Sequence, residues 1–211
     1  MGNIGIIGRA RVGKDTVGKW LVDNRGYRRV AFADALKSAA LKVDPIVGHR
    51  EDEVWDLVYG EWELIQTDAD LVHLSTVVAD HGWEAAKDEF PEVRRFLQEL
   101  GAAVRDIDED FWLRAAMKKV QEANEAGVPV VITDVRYRNE ADSLRRAGFH
   151  LVYIERPGVP QMDHASENSL TADDADYTIC NDSDVPYLLW ALENVVDRIY
   201  AIESARHANR L

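Results

Sequence analysis

The segment Gly8-Arg9-Ala10-Arg11-Val12-Gly13-Lys14-Asp15-Thr16 holds the densest chemical signal in the chain. Its spacing, Gly-x-x-x-x-Gly-Lys, is that of a phosphate-binding loop. The glycines let the backbone bend so that successive N–H groups point at phosphate oxygens, and Lys14 reaches the outer phosphates of a triphosphate. Asp15 stands where Ser or Thr ordinarily meets Mg²⁺, with Thr16 next. A carboxylate there holds the metal directly or through water, at the cost of added negative charge beside the phosphates. Asp134 closes the apolar run Pro129-Val130-Val131-Ile132-Thr133. It is read either as a second acidic group near the metal or as a cap for the helix that follows. Arg136 is placed toward the same cleft, because ligands of open α/β sheets bind beyond the carboxyl ends of the strands; simple surface solvation is the alternative.

A further group lies on a helix expected from Pro91. At about 100° per residue, Arg94, Gln98, Gly101 and Arg105 fall within roughly 60° of one another, beside the apolar stripe Val93, Phe96, Leu97, Leu100 and Val104. Two guanidinium forks suit a phosphate monoester, and an amide suits the edge of a base; a solvated helix face with a break at Gly101 is the competing reading. Asp34 and Lys37 open another helix, where they meet a substrate hydroxyl or phosphate, or Asp34 serves only as a cap. The histidines show no metal-ligand spacing, and no zinc or iron site is expected. His164, Ser166 and Glu167 lie in a loop placed to close over a nucleotide.

These residues need a frame. Asn3–Ile7 reads as a strand before the loop, with Val17, Trp20 and Leu21 marking a helix after it. Residues 29–32 read as a second strand, and the segment through Leu36, Ala39, Ala40 and Val43 as a helix. From about Asp44 to Phe90 the composition turns acidic and Trp-rich without strand-like alternation, which is read as a helical insertion. Helices follow from Pro91 and from about Asp108, the latter ending at Gly127. Residues 129–134, 150–154 and 177–180 read as buried strands, with a helix ending at Gly148 between the first two and a last helix through Leu188, Leu192, Val195 and Ile199. Alternation of strands and helices implies an α/β fold with a five-stranded parallel sheet flanked by helices and right-handed crossovers.

The chain of 211 residues carries 25 Lys and Arg against 38 Asp and Glu, a net charge of −13. That balance argues against binding long nucleic acid, which needs a basic stripe, while a local nest of N–H groups still accommodates a small phosphorylated ligand. No apolar run is long enough to span a bilayer and no signal-peptide layout is present, so no membrane partner and a cytoplasmic location are expected. Cys180, the single cysteine, has no internal disulfide partner and is read as a small apolar strand residue. Oligomeric state is open between a monomer and a homodimer.

Taken together, Gly-Lys-Asp-Thr, Phe32-Ala33-Asp34-Ala35-Leu36-Lys37, Arg94-x-x-Leu97-Gln98-x-x-Gly101 with Arg105, Phe111-Trp112, and Asp134-Val135-Arg136-Tyr137-x-Asn139-Glu140 resemble phage deoxynucleoside monophosphate kinases. The closing Asp176-Tyr177-x-Ile179-x-Asn181-Asp182 is similar both to that group and to dephospho-coenzyme A kinases. Gly82-Trp83-Glu84 also looks like the phage proteins, with no chemistry attached to it. The resemblance implies an ATP-dependent phosphotransferase with an adenylate-kinase-like core (residues 1–43 and 106–211), a helical monophosphate-binding region (44–105) and a lid (156–170). It implies that Gly8, Arg11, Gly13, Lys14, Asp15 and Thr16 hold ATP, that Asp15, Thr16 and Asp134 hold Mg²⁺, and that Asp34, Lys37, Arg94, Gln98 and Arg105 hold the monophosphate. Lys14, Asp134 and Arg136 are then the catalytic set. Arg156 is the only arginine in residues 155–170, so Arg136, Arg138 and Arg145 are the candidates to supply the charge that kinases of this class usually draw from the lid. The competing readings are a dephospho-coenzyme A kinase-like enzyme and an ATP-binding regulatory protein acting through partners.

Overall fold

The structure is a computed structural model that describes residues 2–58, 61–159 and 169–209, with backbone alone for 51–58 and 61–69. The elements in chain order are β1 (Ile4–Ile7), α1 (Lys14–Arg25), β2 (Arg28–Val30), α2 (Phe32–Val43), β3 (Ile46–Val58), β4 (Glu61–His73), α3 (Leu74–Glu89), α4 (Pro91–Ile107), α5 (Phe111–Glu125), β5 (Val130–Val135), α6 (Arg138–Arg146), β6 (His150–Glu155), β7 (Tyr177–Cys180) and α7 (Val185–Ala208). A short 3₁₀ turn, Ala172–Asp174, precedes β7. The chain divides into two units, one of residues 1–34 and 112–211, the other of residues 35–111.

The first unit is built on the expected five-stranded sheet, ordered β2-β5-β1-β6-β7. Every described pairing in it is parallel, with β1 in the centre between β5 and β6. The central strands are apolar on both faces, as a sheet covered on both sides requires: Ile4, Ile6, Val130, Ile132, Leu151 and Val152 are all fully buried. One face packs against α1 and α7 through Val17, Leu21, Leu188, Leu192 and Ile199. Leu113, Ala116, Val120, Ala141 and Leu144, from α5 and α6, belong to the other core. The Gly8–Thr16 loop lies at the carboxyl end of the central strand.

Two expectations about this unit change. Residues 31 and 32 leave the second strand, and Phe32 already opens α2. Asp34 is therefore not the cap in front of that helix. It lies in the first turn and reaches back, its Oδ2 accepting the Ala31 N–H at 3.1 Å. The acceptors that start α2 come instead from the distant Asp134, which draws the helix start back to Phe32.

In the second unit, segment 44–90 is not wholly helical. It begins with the antiparallel hairpin β3–β4, a two-stranded sheet of its own, before α3 starts. The pairing sets Trp55 opposite Leu64, Asp56 opposite Glu63 and Leu57 opposite Trp62. That is an apolar, acidic, apolar alternation of strand period, obscured in sequence by the acidic residues around it. The core of this unit gathers Ala40, Val47, Leu74, Val77, Ala86, Val93 and Leu97, with Leu36, Trp83, Phe96 and Leu100 packed against it. Pro91 occupies the start of α4, where its missing N–H costs nothing.

Candidate active site

The loop after β1 folds as the glycine spacing demands. Gly8 sits at φ 148 and Gly13 at φ 107, both in the region that favours glycine. A Cβ on Gly8 would lie 2.4 Å from the Ile154 carbonyl oxygen, so the loop could not pass β6 with any other residue there. Arg11, exposed at the loop's outer bend, takes φ 64. Gly13 supplies no side chain to cap α1, which leaves the first N–H groups of that helix without a side-chain acceptor. The Lys14 ammonium folds back over the loop and donates to the Gly8 and Arg9 carbonyls. A cation and an uncapped helix N-terminus on one short loop make an anion site. Asp15 and Thr16, in the first turn of α1, are exposed.

Asn181 holds the loop from the far side. Buried at the end of β7, its Nδ2 donates to the Val12 carbonyl at 2.9 Å, and its own N–H donates to the Glu155 carbonyl at 2.8 Å. A cleft of about 240 Å³ opens beside the loop, lined by Arg9, Val12, Glu155, Arg156 and Pro157. The larger part of the expected lid, with His164, Ser166 and Glu167, lies outside the described residues.

Asp134 closes β5 with both carboxylate oxygens engaged. Oδ1 accepts the Phe32 N–H and Oδ2 the Ala33 N–H, each at 3.1 Å. It caps a helix, but the one a hundred residues upstream and not the one that follows. Burial pushes its carboxyl up, against the pull of those two N–H groups and of Arg29. The segment after it is fixed by Glu140, whose Oε2 accepts the N–H groups of Arg136 at 2.8 Å and Tyr137 at 3.0 Å. Ser169 Oγ donates to the Arg136 carbonyl, and the Arg136 side chain is exposed. Arg138 and Arg145 are tied to the turn before β7, through the Asp174 carboxylate and carbonyl respectively.

In the second unit, α4 presents the expected face. Arg94 and Gln98 are exposed, Arg105 is half-buried, and Gly101 is buried against Leu36, where an added Cβ would come within 3.2 Å of that side chain. The glycine thus serves close approach of α2 and α4 and not a break in the helix. Arg94 donates from Nε to the Lys87 carbonyl at 2.8 Å and from Nη2 to Asp88. Lys37 on α2 lies with its ammonium 5.3 Å from the centre of the Trp83 ring.

Residues 65–190 match the sequence profile of the family described as "Deoxynucleotide monophosphate kinase". The chain belongs to that family. A relative from Acanthamoeba polyphaga mimivirus, named "Putative deoxynucleotide monophosphate kinase", is 30% identical over 184 residues, covering 79% of this chain and 81% of its own. "Uncharacterized protein ORF77" of Ictalurid herpesvirus 1 is 39% identical over 87 residues, 39% of this chain and 38% of that one. Among solved structures, a dephospho-CoA kinase from Campylobacter jejuni aligns with TM-score 0.48 at 9% identity, over 94% of this chain and 98% of that one. A shikimate kinase from Acinetobacter baumannii aligns with TM-score 0.40 at 12% identity, over 95% and 94% of the two chains.

As a member of this family the chain is a nucleotide kinase, and its donor set suits the groups such an enzyme uses. Among the described residues no group of three or more His, Cys, Asp or Glu side chains gathers to hold a metal ion. Mg²⁺ ordinarily takes one or two protein oxygens and fills its octahedron with phosphate oxygens and water. Thr16 and Asp15 on α1 are the accessible oxygens. Asp134, with one lone pair on each oxygen committed to backbone N–H groups, has only its remaining lone pairs to offer. Cys180 is half-buried at the end of β7; burial and the carboxylates of Asp182 and Glu155 push its thiol up, away from reactive thiolate. No described helix is long and apolar enough to cross a membrane. Sequence reading missed the parts played by Asn181 and Glu140, though both stood in the matched patterns; a polar residue just past a strand, beside a phosphate loop or a helix start, was the available signal.

Proposed function

We propose that this kinase transfers the γ-phosphoryl group of ATP to a deoxynucleoside monophosphate, yielding ADP and the deoxynucleoside diphosphate. The observation that carries the reading is the Gly8–Thr16 loop, an uncapped helix N-terminus with Lys14 folded over it, in a chain of this family. A phosphate oxygen of the monophosphate attacks the γ-phosphorus, the bond from that phosphorus to the β,γ-bridging oxygen breaks, and ADP departs with the electron pair. Little covalent help is needed; the protein positions two anions and neutralises the charge that keeps them apart. Lys14 and the loop N–H groups hold the triphosphate, with Gly8, Arg11 and Gly13 shaping the loop. Thr16 and Asp15 would hold Mg²⁺, which would supply charge neutralisation for the phosphoryl transfer. Asp34, Lys37, Arg94, Gln98 and Arg105 receive the monophosphate, with the guanidinium groups on phosphate and the amide on the base. Arg136 adds positive charge near the transferring group.

The test is a coupled assay of ADP formation with each deoxynucleoside monophosphate in turn, with chromatographic detection of the diphosphate. A diphosphate from one or more of them supports the reading and gives the base preference. No diphosphate from any, with ATP still bound, refutes it, and dephospho-coenzyme A is then the next acceptor to try. Arg94→Ala and Gln98→Ala should raise KM for the monophosphate and leave KM for ATP unchanged; an effect confined to ATP would refute the assignment of that helix face.

A further inference from the structure

The chain leaving β5 is held more firmly than an exposed turn requires. β1 and β5 run side by side with Ile7 in register with Val135, so Gly8 and Arg136 step off neighbouring strands together. Adjacent strands lie about 5 Å apart, and the Arg136 backbone therefore begins beside the phosphate loop. Its side chain is exposed, yet both of its backbone polar groups are gripped by side chains. The N–H donates to Glu140 Oε2 at 2.8 Å, and the carbonyl accepts from Ser169 Oγ. Each grip has its own support. Glu140 is 6% exposed, in the first turn of α6. Ser169 lies 33 residues beyond Arg136 and is followed by fastened chain. Leu170 is buried in the core shared with α5 and α6, Asp174 takes the Arg138 guanidinium at 3.1 Å, and Asp176 Oδ2 accepts the Leu151 N–H at 2.7 Å.

Starting a helix accounts for only one of these bonds. The Glu140 carboxylate on the Tyr137 N–H, at 3.0 Å, is the ordinary capping arrangement for α6. The bond to the Arg136 N–H reaches one residue further back, outside the helix and its cap, and the Ser169 hydroxyl has no part in α6 at all. Both extra bonds converge on a single residue. We propose that Glu140 and Ser169 are positioning residues for Arg136. One fixes its N–H and the other its carbonyl, so the guanidinium extends toward the transferring phosphoryl group from a backbone whose φ and ψ are both set. Neither touches substrate; each spares the arginine a search that would otherwise be made at every turnover. This rests on the monophosphate kinase reading and on the charge it assigns to Arg136.

Ser169→Ala in the full chain removes the grip on the carbonyl and leaves the start of α6 alone, while Ser169→Thr keeps a hydroxyl there. In Ser169→Ala, kcat should fall about tenfold, part of the roughly hundredfold that a reacting group misplaced by an ångström costs. KM for ATP and for the monophosphate should hold, and Ser169→Thr should recover the rate. Glu140→Gln, which keeps one acceptor oxygen, should lower kcat less than Glu140→Ala. In an Arg136→Met background Ser169→Ala should lower kcat no further, whereas a loss through general loosening of the fold would persist there. An unchanged kcat in Ser169→Ala, or the same loss in the Arg136→Met background, overturns the proposal. If the unaltered protein phosphorylates no deoxynucleoside monophosphate, the functional reading fails, and hydrogen exchange at the Arg136 amide still decides whether the clamp exists. The amide should exchange slowly in the unaltered protein and in Ser169→Thr and about tenfold faster in Ser169→Ala; equal rates in all three overturn the clamp itself.

Discussion

Asp134→Ala removes the acceptor for two backbone N–H groups at once, those of Phe32 and Ala33. Phe32 is 5% exposed, so water replaces the lost carboxylate poorly. An unsatisfied donor of this kind costs about 1–3 kcal/mol, which for the pair gives about 2–6 kcal/mol. Against this, burial raises the Asp134 carboxyl, so holding it ionised already costs stability, and its removal returns part of that. The balance is a loss of about 2–4 kcal/mol, with Asp134→Asn losing about half as much because one acceptor oxygen survives. The assay is equilibrium unfolding in urea at neutral pH followed by circular dichroism, in which the midpoint falls while the slope holds. A second readout is the Mg²⁺ concentration giving half-maximal activity. A loss under about 0.5 kcal/mol in Asp134→Ala, with a weakened Mg²⁺ requirement, would refute the reasoning: the carboxylate would then serve the metal and not the start of α2.

Lys14→Ala should abolish turnover and leave the far-UV circular dichroism intact, since the ammonium bonds the Gly8 and Arg9 carbonyls of an irregular loop; full activity would refute the phosphate-loop assignment. Asn181→Ala should cost about 1–2 kcal/mol in urea unfolding and raise KM for ATP, because the Val12 carbonyl loses its buried donor; an unchanged KM would show that the loop keeps its shape without it. The Asp44 carboxylate accepts the Ser75 N–H at 2.8 Å and its hydroxyl at 2.9 Å, and these bonds hold its carboxyl below the usual range. A depressed folded pKa means that this stabilisation is complete above the ordinary aspartate range near pH 4 and is lost as pH falls through and below it. The midpoint difference between the protein and Asp44→Asn should accordingly shrink from pH 7 to below pH 4, and a constant difference would contradict the assignment.

What the sequence disclosed follows from how local each signal was. The loop from Gly8 to Thr16, its flanking strand and helix, and the α4 face carrying Arg94, Gln98 and Gly101 are encoded in short windows, where spacing alone states the geometry. The hairpin was hidden because its alternation is brief, Trp55-Asp56-Leu57 against Trp62-Glu63-Leu64, within a run of acids that reads as solvated helix. Asp134 was legible as a capping carboxylate, but not its partner: nothing local indicates that the helix it caps starts at Phe32. The same holds for Asn181 and the Val12 carbonyl, which only the sheet order brings together.

The hairpin has two 13-residue strands and, among the described residues, no third strand beside it. At about 3.4 Å per residue each strand runs about 44 Å, and a two-stranded ribbon has two edge rows of backbone groups. Such edges recruit strands from other chains unless something forbids it. Here the deterrent is electrostatic: the two strands carry Glu51, Asp52, Glu53, Asp56, Glu61, Glu63, Asp68 and Asp70 against Arg50 alone. More than half of the net charge of −13 is therefore concentrated on one ribbon, where it repels a second ribbon of the same kind. Salt that screens those carboxylates, or acid that neutralises them, withdraws the protection, and edge-to-edge aggregation should set in first at this ribbon.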